Sequence, residues 1–75
     1  MAFPSPLESF LRLQCSGWLV AETAAVGASG TLWLVHGQNG ENVIEARGAS
    51  QSEAWWRACE QARSVGMLAP EIERS

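Results

Sequence analysis

Residues 31–47 read TLWLVHGQNGENVIEAR, and the fold follows from how this stretch pairs with itself. Thr31 to His36 packs Leu, Trp, Leu and Val into one short run, a composition suited to a strand. Asn39-Gly40 then supplies the strongest short-range hairpin signal, a two-residue type I′ turn. Residues 42–47 return as the next strand. With that turn, His36 falls opposite Val43, Val35 opposite Ile44, Leu34 opposite Glu45 and Trp33 opposite Ala46. One face of the hairpin then carries Trp33, Val35, Ile44 and Ala46 and is apolar throughout. The other carries Leu32, Leu34, His36, Val43, Glu45 and Arg47 and is mixed. The first is expected to be the core face, and a slip of one residue would exchange the two.

The flanking segments complete the pattern. Residues 50–66, SQSEAWWRACEQARSVG, form a helix with both ends written in. Ser50 and Glu53 make an S-x-x-E capping box, and Gly66 fits a left-handed C-terminal cap. Ala54, Ala58, Ala62 and Val65 lie in one narrow arc, a small-residue stripe suited to close approach to a sheet. Trp33 from the sheet is expected to fill the remaining space. Trp55 sits at the edge of the stripe. Trp56, about 100° further round, projects to the other side near Arg63. Cys59 lies well away from the stripe's centre and is expected to be partly exposed.

Upstream, Ser5 is a candidate N-cap, Pro6 suits the first helical position and Glu8 suits the positive helix end. A first helix is expected over residues 6–16, with Leu7, Phe10 and Leu11 at helical spacing and Gly17 ending it. Residues 18–24 read as a strand, and Gly27-Ala28-Ser29-Gly30 as a loop. The expected fold is therefore one small α+β domain over the whole chain. It is a three-stranded antiparallel meander with an N-terminal and a C-terminal helix, in the order α-β-β-β-α. Its core spans about residues 6–68, with 69–75 as a flexible tail.

Composition limits the function classes. The chain has 75 residues, enough for one small core whose own stability is modest. All eight acidic residues are Glu and all five basic residues are Arg, for a net charge of −3. That balance argues against a nucleic-acid binder, which carries a basic patch. Cys15 and Cys59 are too far apart for a C-x-x-C motif. The opening residues carry neither a basic start nor a long apolar run, and no stretch approaches a membrane span. A cytoplasmic protein with two reduced thiols is the expectation.

The element order resembles the double-stranded RNA-binding domain, with Gly48 to Ala54 similar to that family's junction of third strand and second helix. The resemblance implies the topology. In that family lysines at the start of the second helix hold phosphate, whereas this chain has Gln51 and Ser52 there, followed by Glu53. Duplex binding depends on such charge neutralisation. The chain also resembles small phage ABA-sandwich-like domains, through Trp33 in the meander and the Ser50, Ala54, Ala58 spacing of the final helix. That likeness implies the fold and a phage or mobile-element origin.

The polar inventory offers little chemistry. His36 is the only histidine and falls at a strand end on the outer face, with only Glu41 and Glu45 near it in sequence. A Cys59–His36 pair would have to cross the sheet, so no activated nucleophile is expected. The 27–30 loop lacks the Lys and strand–helix context of a phosphate loop. No catalytic residue, metal site, cofactor or small-molecule substrate is indicated. Glu53, Arg57, Glu60 and Arg63 are spaced for surface ion pairs along the helix.

The interface candidates are Trp56 with Arg63 and Arg57, since Trp and Arg dominate binding hot spots, and the outer-face residues Leu32, Leu34 and Val43. Cover by the first helix is the alternative for that face. The reading is a non-catalytic protein-interaction module whose partner is another protein or a second copy. The alternative is a degenerate nucleic-acid binder of double-stranded RNA-binding topology.

Overall fold

The computed structural model describes residues 2–68. The elements are α1 (Pro6–Cys15), β1 (Leu19–Gly27), β2 (Gly30–Asn39), β3 (Asn42–Gly48) and α2 (Gln51–Ser64). The strands form one antiparallel sheet in the order β1-β2-β3. This is the expected α-β-β-β-α meander of the α+β class. The expected tail, residues 69–75, lies outside the described residues.

The helix ends are built by their local sequence. Ser5 caps α1, its hydroxyl accepting from the Glu8 N–H at 3.2 Å, with Pro6 in the first turn. Ser50 caps α2 by accepting from the Glu53 N–H at 3.1 Å. The Glu53 carboxylate reaches back to the Ala49 N–H at 3.0 Å, one residue earlier than in the standard box. Both C-termini are Schellman motifs around a glycine with positive φ. Gly17 (φ 93°) lets Trp18 N–H donate to Leu13 O, and Gly66 (φ 74°) lets Met67 N–H donate to Ala62 O. Leu13 and Trp18, joined across the first motif, are both buried.

The β2–β3 register differs from the expected one by two residues. Val35 pairs with Ala46, His36 with Glu45, Gly37 with Ile44, and Asn39 with Asn42. The turn is therefore Gly40-Glu41 and not Asn39-Gly40. A type I′ turn at Asn39-Gly40 needs positive φ at both residues, and no non-glycine residue has it. Gly40, at φ 63°, takes the first central position instead, the place glycine holds in a type II′ turn. Asn39 stays in the strand, where its side-chain N–H donates to Ser16 O at 3.0 Å. An even shift keeps every side chain on its face, so Val35, Ile44 and Ala46 are buried as expected.

Both helices pack on that same face. Helix α2 lies against β3 and β2, and α1 lies against α2 and β1. The buried core joins Leu13, Trp18, Val35, Ile44, Ala46, Ala54, Trp55, Ala58, Cys59 and Ala62. Trp33 points to this side but is only half-buried, because Trp18 and Trp55 fill the centre instead. On α1 the buried positions are Ser9 and Leu13, with Phe10 partly buried, while Leu7 and Leu11 are exposed. Val65 is also exposed, since the helix ends at Ser64 and Val65 is its cap. Met67 and Leu68 fold back against the core, as their position after the cap suggests. The Trp18 indole N–H donates to Met67 O at 2.7 Å and ties this return to the start of β1.

Candidate interaction surfaces

The helix surface is largely satisfied within the chain. Trp56 reads from the sequence as an interface residue beside Arg63, with cover by the first helix or the tail as the alternative. It is half-buried instead, with Phe3 of the N-terminal leader tilted against it at a centroid separation of 5.3 Å. Arg57 binds Glu53 at 2.8 Å, and Arg63 binds Glu60 at 2.6 Å. A shallow open groove beside Trp56 is lined by Glu45, Arg47, Arg57, Glu60 and Gln61; Arg63 is not part of it. The Trp56–Arg57–Arg63 cluster is thus an intramolecular aromatic pair and two helical ion pairs.

The Glu53 carboxyl is held below its ordinary value, first by the Ala49 N–H and then by the Arg57 guanidinium. The start of α2 therefore stays acidic, the opposite of a phosphate-binding helix end.

Cys59 corrects the expectation of partial exposure. It is 2% exposed, and its thiol donates to Ser9 O at 3.5 Å. The reason is the second helix on the same face: α2 buries one arc against the sheet and a further arc, Trp55 and Cys59, against α1. Burial pushes the Cys59 thiol up from its ordinary value, which disfavours the nucleophilic thiolate. His36 is exposed on the opposite side of the sheet, between Ala21 and Glu45 on the neighbouring strands. Cys15 is exposed. Among the described residues no group of three His, Cys or Glu side chains is placed to hold a metal ion, and no helix is long and apolar enough to cross a membrane.

The outer sheet face is open. Leu32 and Val43 are exposed and Leu34 is half-buried, and among the described residues no helix lies on their side. Strand β1 adds Leu19, Ala21, Thr23 and Ala25 to this face by register. Leu19 and Val43 flank Gln38 at one end, and Leu32 and Leu34 lie toward the other, next to Ala25 and Thr23. Leu19 is 79% exposed.

Glu22 is a residue the sequence reading did not single out. On the inner face of β1, its Oε1 accepts from the Trp55 indole N–H at 2.7 Å and from the Gln51 amide at 2.6 Å. A rim indole needs an acceptor, and Glu22 is the one acidic residue of β1. Gln61 is a second such residue. Its side-chain amide accepts from the Glu45 N–H at 2.9 Å and donates to the Glu45 carbonyl at 2.6 Å. The two bonds fasten α2 to the free edge of β3. No protein-family model, curated protein or solved structure matches this chain.

Proposed function

We propose that the chain is a non-catalytic protein-interaction module that works through the outer face of its sheet. One observation carries this reading: both helices lie on the inner face, so among the described residues no helix covers the outer face, where Leu32, Val43 and Leu19 are exposed and Leu34 is half-buried. Apolar side chains held outward on a rigid sheet are a standing offer of burial, about 25 cal/mol per Å² of apolar surface covered. Trp56 and its arginines contribute less than expected, since Phe3, Glu53 and Glu60 already engage them.

The test is site-specific photo-crosslinking in cells, with the photoreactive residue placed at Leu34, at Val43 or at Trp56. A discrete adduct from Leu34 and Val43, lost when Leu32→Glu is added, supports the outer face. Adducts from Trp56 alone, or none from either outer-face position, overturn it.

The alternative reading, a degenerate nucleic-acid binder, has the shared helix face in its favour, because the double-stranded RNA-binding resemblance implies that layout. The acidic start of α2 and the net charge of −3 oppose it. Titration with duplex RNA at low and moderate salt decides it: binding that weakens steeply with salt supports this reading, and no binding at low salt removes it.

A further inference from the structure

We propose that β1 is a homodimerisation edge, pairing antiparallel with β1 of a second copy about a twofold axis through Thr23. This rests on the interaction reading and names its partner, but it uses the sheet's edge and not its outer face.

The backbone directions follow from Gln61. Its two bonds to Glu45 show that the Glu45 N–H and C=O point off the sheet. Glu45 lies opposite His36, so His36 turns its own N–H and C=O toward β1, where Ala21 is its partner. By alternation Val20, Glu22, Ala24 and Val26 present their N–H and C=O groups to the free edge. Strand β1 spans nine residues, its residues 21–27 are all exposed, and it carries neither Pro nor Lys. Natural edge strands of this length are normally blunted by such residues, by inward-pointing charges or by a covering element. The one inward charge of β1, Glu22, is turned onto Gln51 and Trp55 of its own α2 and so leaves the backbone edge open.

The sequence of β1 is matched to itself in one register. With the axis at Thr23, Val20 bonds the partner's Val26 and Glu22 bonds the partner's Ala24. Thr23 meets the partner's Thr23 in the closely spaced, non-hydrogen-bonded position. Pairing then covers the whole strand, and even-numbered residues meet even-numbered ones, so both core faces stay on one side. A slip of one residue breaks this face match. A shift of the axis to Glu22 sets two carboxylates directly opposite and shortens the overlap.

The twofold also addresses an asymmetry within β1. Its Val20 end packs against the core, whereas Val26 at its other end is 83% exposed. Pairing sets each bare Val26 end beside the covered Val20 end of the other copy. Helix α1, which contacts β1 and α2 alone among the elements, exposes Leu7 and Leu11 on the side opposite Ser9 and Leu13.

The experiment is sedimentation equilibrium across a concentration series on the full chain and on Ala24→Glu, Ala24→Lys and Ala24→Pro. The expected result is a wild-type dimer that dissociates on dilution. In the dimer residue 24 faces the partner's Glu22 twice, so A24E weakens association about tenfold or more relative to A24K. A24P removes an outward N–H that β2 does not use, and the expected result is a folded monomer. Thermal melts establish that each variant folds, and the A24E–A24K contrast stands without A24P. A wild-type chain that stays monomeric at millimolar concentration overturns the proposal, as does a dimer on which A24E and A24K act alike. Either failure would leave the crosslinking result at Leu34 and Val43 untouched.

Discussion

The two edges of the sheet are treated in opposite ways. At β3 the strand is short, its inward residues Ile44 and Ala46 are buried under α2, and Gln61 occupies the outward backbone groups of Glu45. Gly48 closes this edge against the helix: a Cβ there would meet the Ala54 nitrogen at 2.6 Å. At β1 the strand is longer, every residue but Val20 is exposed, and Glu22 anchors it to α2. A 75-residue chain cannot cover both edges with two short helices. Among the described residues α2 packs on β3 and β2, while the outward backbone groups of β1 have no strand beside them.

The contrast can be broken first by truncation. Ile44→Ala is expected to cost about 2–5 kcal/mol, through lost burial and the cavity left behind. Val26→Ala is expected to stay within about 0.5 kcal/mol in the dilute monomer. Chemical denaturation of both variants checks this, and equal losses would erase the distinction between a sealed and a free edge. Gly48→Ala probes the same seal from the backbone side, with an expected loss of about 1–3 kcal/mol because the added methyl meets main chain and not a movable side chain.

A subtler measurement sharpens the comparison. Gln61→Ala removes two hydrogen bonds on a partly solvated edge, for an expected loss of about 0.5–1.5 kcal/mol. Hydrogen exchange should then accelerate at the Glu45 amide while the β1 amides keep their rates. If Glu45 exchanges as fast as Ala24 in the wild-type chain, Gln61 does not seal the edge.

The smallest effect concerns pH. The Glu53 carboxyl has a lowered pKa in the folded chain, so its contribution is present above the ordinary carboxylate range and is lost as pH falls through the lowered value. Glu53→Gln should therefore flatten the loss of stability as pH falls below the ordinary carboxylate range. A melt series in which both proteins fall in parallel would remove this role.

Much of the local architecture was legible. Ser5-Pro6, Gly17, Ser50-x-x-Glu53 and Gly66 each act within a few residues of themselves, and all four signals mark real helix ends. The division of the β2–β3 hairpin into an apolar and a mixed face was legible too, because it depends on side-chain parity alone. The register was not, since Asn39-Gly40 and Gly40-Glu41 both place a glycine in the turn. Asn39's bond to Ser16, a contact across 23 positions, holds Asn39 in the strand.

The candidate surfaces were less legible than the elements. The outer-face residues Leu32, Leu34 and Val43 stand where parity put them, yet their exposure depended on where α1 packs. Trp56 was judged from its angle on the helix, and no helical wheel includes Phe3, which covers it from outside the helix. Cys59 failed for a related reason, since the wheel counted one buried arc and α1 adds a second. Trp18 was read as the start of a strand; its burial follows from the Schellman turn that sets it against Leu13.

The sequence by itself determined the five elements, their caps and which side chains share a face, because these depend on backbone conformation and period over a few residues. Only the tertiary structure decided that both helices take the same face, that Glu22 and Gln61 tie α2 to the strands, and that Gln61 occupies the outward backbone groups of β3 while those of β1 stay open. Those outcomes come from contacts between groups far apart in the chain, and no local pattern specifies which of several apolar surfaces a short helix will cover.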